Sequence, residues 1–246
     1  MTSFAVIIPA RYDSSRLPGK PLIKLAGVPM LVRTYRQVTQ AVSDDLVYVA
    51  TDSEAVRALC DAHGMKVIMT SSACLTGTDR VAECMRVLPK VDVLINVQGD
   101  EPLFNPLDLT RLIDTALRYP TEVVNGYCTI DSEHQFRSGN IPKVVLRPDG
   151  RLLYMSRAAI PTGKALGYAW GYRQVCAYAF PVHALKQFSA CTEKTPLEHV
   201  EDIEILRFLE LGFEVRMIQL SADSISVDIP SDVARVEKAI LMKLST

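Results

Sequence analysis

Short apolar runs that end abruptly in polar loops, with helix-spaced segments between them, restrict this chain most. Phe4–Ile8 is uniformly apolar and stops at Pro9. Leu46–Ala50 is a second run, ended by Thr51-Asp52, and Lys66–Met69 is a shorter third. Val91–Val97 is a fourth and closes on Gln98-Gly99-Asp100-Glu101-Pro102. Runs of this kind read as strands buried on both faces. Between them, Met30–Val42, Ser53–His63 and Asp79–Leu88 place apolar residues at helical spacing, and Leu107–Leu117 follows. Strand alternating with helix implies a mostly parallel sheet covered on both sides, a three-layer α/β/α sandwich.

The second half changes character. Val123–Ile130, Lys143–Arg147, Leu152–Ser156 and Tyr172–Phe180 read as strands, and Pro148-Asp149-Gly150 supplies a hairpin turn. Val200–Leu211 reads as one helix stopped by Gly212, then Glu214–Gln219 as a strand and Val233–Leu244 as a last helix. No Ser/Gly-rich linker separates the halves. The expectation is a single domain, 1–246, with a β-rich arm over roughly 123–181.

Charge narrows the partners. Basic residues number 27 against 28 acidic ones, a net charge of −1, so nothing global favours a nucleic-acid or membrane surface. No stretch approaches the ~18 apolar residues of a membrane span, and the opening apolar run is too short for a secretory leader. A cytoplasmic protein is expected. The six cysteines are scattered without a C-x-x-C pair and read as small buried hydrophobes.

Ligands of open α/β sheets bind beyond the carboxyl ends of the strands. Here those ends carry polar loops. Residues 9–21 place Arg11, Arg16 and Lys20 within ten positions, with Gly19 for close backbone approach and Ser14 and Ser15 as donors. Arginine forks and a lysine point charge both suit phosphate oxygens. A solvated basic loop would look similar. However, Pro9, Pro18 and Pro21 hold these cations close together, and crowded like charges call for an anion. The Walker pattern is absent.

The run PARYDSSRLPGKPL closely resembles the signature loop of the CMP-Kdo synthetases, the 3-deoxy-manno-octulosonate cytidylyltransferases. VYVATDS, TGTDR, INVQGDEPL, PKVVLRPDGRLLYMSRAAIP and VDIPSD follow in that family's order, from Ala5 to about Val236. The resemblance implies a Rossmann-like nucleotide-diphospho-sugar transferase fold and a homodimer formed through the β-rich arm. It also implies a reaction joining CMP from CTP to an acidic sugar, for lipopolysaccharide or capsule synthesis. By that likeness Arg11, Ser14, Arg16 and Lys20 meet the CTP phosphates, Ala10 is a substrate-binding position, and Thr76, Gly77, Thr78, Asp79 and Arg80 lie at the nucleotide. Gln98 reads the cytosine edge, for which an amide has both donor and acceptor. Asp79 has a plainer reading as a helix N-cap.

Asp100 and Asp228 each follow an apolar segment, and paired carboxylates at strand ends suit magnesium, though each also fits a turn cap. In the family the matching aspartates are the metal ligands, with Glu101 a flanking candidate. The implied chemistry is in-line attack of an acceptor hydroxyl on the α-phosphorus of CTP. Positioning and charge neutralisation carry such a step, so no histidine base is nominated.

At the acceptor end, Arg157 matches a family arginine suited to a sugar carboxylate, and Lys143, Tyr178 and Glu204 keep family positions. Two positions depart. Gln174 stands where the family has histidine, and Ile205 where it has glutamine. An isoleucine facing a polyol would leave a hydroxyl unpaired, at about 1–3 kcal/mol. The expected acceptor is therefore Kdo or a modified relative of it, such as an amino-substituted ulosonate, a sialic-type acid or a phosphonate. A nucleotidyltransferase using another base, and a non-catalytic CTP-binding module, stay open as alternatives.

Overall fold

The computed structural model describes residues 2–13, 17–88 and 90–244. Along the chain run β1 (Phe4–Pro9), β2 (Lys24–Leu25), β3 (Val28–Pro29), α1 (Met30–Val38), β4 (Val47–Thr51) and α2 (Glu54–Ala62). Next come β5 (Val67–Met69), α3 (Gly77–Glu83), β6 (Val93–Val97), α4 (Pro106–Arg118), β7 (Val123–Thr129), α5 (Glu133–Arg137) and β8 (Lys143–Leu146). The rest is β9 (Leu152–Ser156), β10 (Tyr172–Pro181), α6 (Val182–Ala190), α7 (Pro196–Glu201), α8 (Ile205–Glu210), β11 (Val215–Gln219) and α9 (Pro230–Leu244). The chain forms two compact units, Met1–Arg111 with Asp223–Thr246, and Leu112–Ala222. The fold class is α/β with a mixed sheet.

In the first unit β1 pairs in parallel with β4 and with β6, and β5 joins β4, giving the order β6-β1-β4-β5. Val6, Ile7, Ile8, Val49, Ala50, Leu94 and Ile95 have no exposed surface. Consecutive strand residues point to opposite faces, so uninterrupted burial means both faces are covered, as the apolar runs require. The chain steps outward from β1 to β4 to β5, then returns to the other side of β1 as β6. That reversal opens a crevice at the carboxyl ends of β1 and β6. Ser53 caps α2, its hydroxyl accepting from the Val56 amide at 3.4 Å, and Gly64 follows the helix at φ 66°.

In the second unit β7 pairs in parallel with β11 and antiparallel with β10, while β8 pairs antiparallel with β10 and β9. Gly150 turns the β8–β9 hairpin at φ 82°, where a side chain would be strained. The β10 register slips between Val175 and Tyr178. Asn125 on β7 fills that bulge, donating from Nδ2 to the carbonyls of Val175 at 3.0 Å and Ala177 at 2.9 Å.

The helix expected over Val200–Leu211 is two short helices, α7 and α8. They are broken at Asp202, which adopts left-handed backbone at φ 51°. Tertiary bonds outweigh helical periodicity here. Arg207 on α8 grips Glu198 on α7 from Nε at 2.5 Å and Nη2 at 2.7 Å, both side chains buried, and Arg157 takes the carbonyls at the break. α5 and the β2–β3 hairpin are too short to leave a periodic signal. Among the described residues no helix is long and apolar enough to cross a membrane.

Candidate active site

Three separate segments of the first unit meet at the crevice. Beyond β1, the Ala10 amide continues the ladder to the Ala50 carbonyl at 2.8 Å. The chain turns at Gly19, whose φ of 67° is left-handed, and enters a single helical turn over Lys20–Leu22. Beyond β6, Gly99 passes so near β1 that a Cβ there would sit 2.8 Å from the Pro9 carbonyl oxygen. Thr34 Oγ1 on α1 donates to the Gly99 carbonyl at 3.1 Å and fixes the loop that carries Asp100. The third segment is pinned alongside. The Val227 amide donates to the Asp100 carbonyl at 3.1 Å, and Ser224 Oγ bonds the buried Glu101 carboxylate. Asp232 accepts from the amides of Asp228 at 2.9 Å and Ile229 at 3.1 Å at the start of α9.

These constraints bring Lys20, Asp100 and Asp228 together. Lys20 Nζ lies 2.5 Å from Asp100 Oδ2 and 3.1 Å from Asp228 Oδ1. Burial pulls the lysine's pKa down, but attraction to Asp100 and then Asp228 outweighs it and holds the ammonium above its ordinary 10.5. Ser226 Oγ donates to the other Asp228 oxygen at 3.3 Å. Two carboxylates aimed at one cation form a cradle for positive charge. Among the described residues no group of three or more His, Cys, Asp or Glu side chains forms a metal cluster. A two-carboxylate cradle fits magnesium, which keeps waters and takes phosphate oxygens, better than cations that need full protein cages.

The other nucleotide-side residues are placed unevenly. Arg11 is exposed and makes no ion pair with a described residue, while Ala10 is buried. Ser14 and Arg16 lie outside the described residues. Gln98 is half-buried, its Nε2 only 3.4 Å from Oδ1 of the fully buried Asn96. Thr76, not Asp79, is the N-cap of α3. Its hydroxyl accepts from the Asp79 amide at 3.1 Å and donates to Asp79 Oδ2 at 2.6 Å, just before Gly77 and the buried Thr78. Arg80 is buried and committed, donating to Asp52 Oδ2 at 2.9 Å and to Thr70 Oγ1. In this geometry Arg80 ties α3 to the ends of β4 and β5 rather than offering itself to a phosphate.

The acceptor-side residues all lie in the second unit, where several of their donors meet protein acceptors. Lys143 is fully buried. Its three donors go to the carbonyls of Ser138 at 2.7 Å, Ile141 at 2.6 Å and Arg157 at 2.6 Å. Burial and the Arg157 charge hold its pKa below 10.5, and its three bonds tie β8 to the segments around Ser138 and Arg157. Arg157 gives its guanidinium to the carbonyls of Glu201 at 2.5 Å, Gly139 at 3.1 Å and Asp202 at 2.9 Å, capping the end of α7. These bonds use three of its five N–H donors.

Gln174 is buried on β10, with Nε2 donating to Asn125 Oδ1 at 3.1 Å. Tyr178 stacks on Phe180 with centroids 5.5 Å apart, and Glu204 is half-buried at the start of α8. Ile205 is 1% exposed and packs inside the unit, so in this geometry no polyol hydroxyl stands unpaired against it.

The chain matches the cytidylyltransferase family model over residues 5–219. A 3-deoxy-manno-octulosonate cytidylyltransferase from Myxococcus xanthus is 38% identical over 94% of each chain. The CMP-Kdo synthetase family holds this chain. An 8-amino-3,8-dideoxy-manno-octulosonate cytidylyltransferase from Shewanella amazonensis is 34% identical, covering 96% of this chain and 97% of its own. The solved structure of CMP:2-keto-3-deoxy-manno-octonic acid synthetase complexed with CTP superposes with a TM-score of 0.91 at 32% identity, over 98% of this chain and 100% of that one.

Sequence reasoning missed several supports of this CMP-Kdo synthetase site. Thr34, Ser224, Ser226 and Asp232 hold the loops that carry Asp100 and Asp228, and Glu201 anchors the Arg157 amide at 2.8 Å. Asp232 alone had a readable signal, an acidic residue in the first turn of a helix opened by Pro230. The others act through contacts between distant segments.

Proposed function

We propose that this protein transfers CMP from CTP to the anomeric hydroxyl of a 3-deoxy-ulosonic acid, Kdo or a close derivative, releasing pyrophosphate. The convergence of Lys20, Asp100 and Asp228 on one point at the sheet's switch crevice carries this reading. The acceptor oxygen forms its bond to the α-phosphorus as the bond to the β-phosphate oxygen breaks, and the hydroxyl proton passes to solvent. Lys20 and Arg11 oppose charge on the phosphates, and Gln98 presents its amide to the base. Asp100 and Asp228 hold magnesium, which when bound neutralises phosphate charge and makes the acceptor hydroxyl more acidic.

Relatives named for Kdo and for 8-amino-Kdo stand at similar identity, so the choice between such acids rests on the acceptor side. Gln174 in place of the family histidine favours a modified acid. The homodimer is part of the same reading, supported by the apolar surface that Leu153, Leu166 and Trp170 leave exposed in the second unit. So are a cytoplasmic setting and a place in lipopolysaccharide or capsule synthesis.

The deciding experiment is pyrophosphate release from CTP and magnesium across a panel of Kdo, 8-amino-Kdo, sialic acid and a phosphonate. Release with one 3-deoxy-octulosonate and no other class is expected. Release with none of the panel, or equally with other nucleoside triphosphates, sinks the reading. Asp228→Asn should lower kcat by on the order of 10²-fold, as loss of one charge-stabilising group does.

A further inference from the structure

From the position of Lys20 we infer that it is the resident cation of the ligand-free site, a stand-in that must leave the Asp100–Asp228 cradle before a divalent cation can enter. The inference rests on the reading of that aspartate pair given above. It goes beyond that reading by making nucleotide and metal binding depend on one lysine.

The geometry supports it in three ways. Lys20 Nζ takes one oxygen from each aspartate, at 2.5 and 3.1 Å, and a metal bridging the pair competes for those same oxygens. Its side chain is 14% exposed, with the aspartates at 27% and 41%, so the three charges are partly withdrawn from water and none is cheaply left alone. The protein offers no third carboxylate, histidine or cysteine among the described residues to complete a metal cluster. Metal alone would therefore trade a close ammonium pair for two ligands and solvent, a poor exchange. A triphosphate changes the balance. Its oxygens accept the Lys20 ammonium and also complete the metal's shell, so the two ligands enter together.

Lys20 stands on the single helical turn just after Gly19. A small change at that hinge would swing Nζ from carboxylate to phosphate. On this account Lys20, besides meeting the phosphates, suppresses metal binding in the empty enzyme and couples it to the nucleotide.

The test measures Mn2+ alone, without nucleotide, by electron paramagnetic resonance of the free ion. Lys20→Met should bind Mn2+ on the order of tenfold more tightly than wild type, the size of a typical coupling between sites. Lys20→Arg, which keeps a cation there, should stay as weak as wild type. Equal or weaker binding by Lys20→Met, or the same tightening in Lys20→Arg, overturns the inference. Lysine footprinting on wild type needs no variant to fold. Mn2+ at saturation should raise the labelling of Lys20, and Mn2+ bound with Lys20 labelling unchanged overturns the inference. The two readings fail separately. Wild-type CTP turnover with no tightening in Lys20→Met removes only the displaced-lysine idea, whereas tightening without turnover of any acid removes only the transferase assignment.

Discussion

Gln174 donates an Nε2 hydrogen to Asn125 Oδ1 at 3.1 Å, and that bond fixes which way the Gln174 amide is turned. Asn125 has no choice of orientation, because its Nδ2 serves two carbonyls, Val175 and Ala177, that only a donor can satisfy. Its oxygen therefore faces Gln174 and takes the Nε2 hydrogen, which fixes the Gln174 amide with Oε1 pointing the other way. Nε2 has a second hydrogen besides the one given to Asn125, so a ligand group on Gln174 can be a donor to Oε1 or an acceptor from that hydrogen. Gln174→Leu should raise KM for the preferred acid by about 3- to 10-fold, the worth of one neutral hydrogen bond, with KM for CTP unchanged. Steady-state kinetics on both substrates decides it, and an unchanged acid KM would remove Gln174 from the acceptor site.

The contact between Gly99 and Pro9 gives a second expectation. A methyl group there would press on a backbone oxygen at 2.8 Å, inside the close-packed join of β1 and β6. Gly99→Ala should cost about 1–3 kcal/mol, as overpacking does, and displace Asp100 from Lys20. Urea denaturation and kcat should fall together. A variant with normal stability and normal turnover would show that the loop has slack.

Glu198 and Arg207 form a buried, bidentate ion pair inside the second unit, with Arg207 also stacked 3.7 Å from the Phe188 ring centroid. Removing one partner leaves a buried charge uncompensated. Glu198→Gln should destabilise by roughly 3–5 kcal/mol. The double replacement Glu198→Gln with Arg207→Met should recover part of that loss. The chain's single tryptophan, Trp170, lies in this unit and reports its unfolding by fluorescence. A single variant as stable as wild type would contradict the pairing.

Acid should weaken the same unit. Burial alone would raise the carboxyls of Glu122, Glu201 and Glu210, but their hydrogen bonds outweigh it and hold all three below the ordinary 4.5. The donors are Arg216 and Arg151 for Glu122, Ser156, Arg157 and Tyr154 for Glu201, and Thr195 with two amides for Glu210. A depressed folded-state pKa gives stability that is present above the unfolded value and lost as pH falls through the folded one. The urea midpoint read at Trp170 should therefore hold above pH 4.5 and decline below it. Glu201→Gln should flatten that decline, and a midpoint indifferent to acid would refute the assignment.

What the sequence determined by itself was everything that local pattern controls. Phe4–Ile8 is apolar without alternation and Val91–Val97 nearly so, broken by Asp92 and Asn96, so both read as central parallel strands, and the polar loops after them marked the crevice. The family's motifs are carried in order along the chain, so membership too was legible without coordinates. Tertiary structure decided what depends on contacts between distant segments. Nothing near Val200–Leu211 announces that Arg157 and Arg207 will split that helix at Asp202, because those bonds reach across sequence or need the finished core. Nor does a motif reveal whether its charge is available. Arg80 and Lys143 keep family positions, yet folding commits their donors to Asp52 and to backbone carbonyls, while Lys20 is drawn onto the two aspartates. Residue type sets what a side chain can bond, and packing sets which partner is within reach.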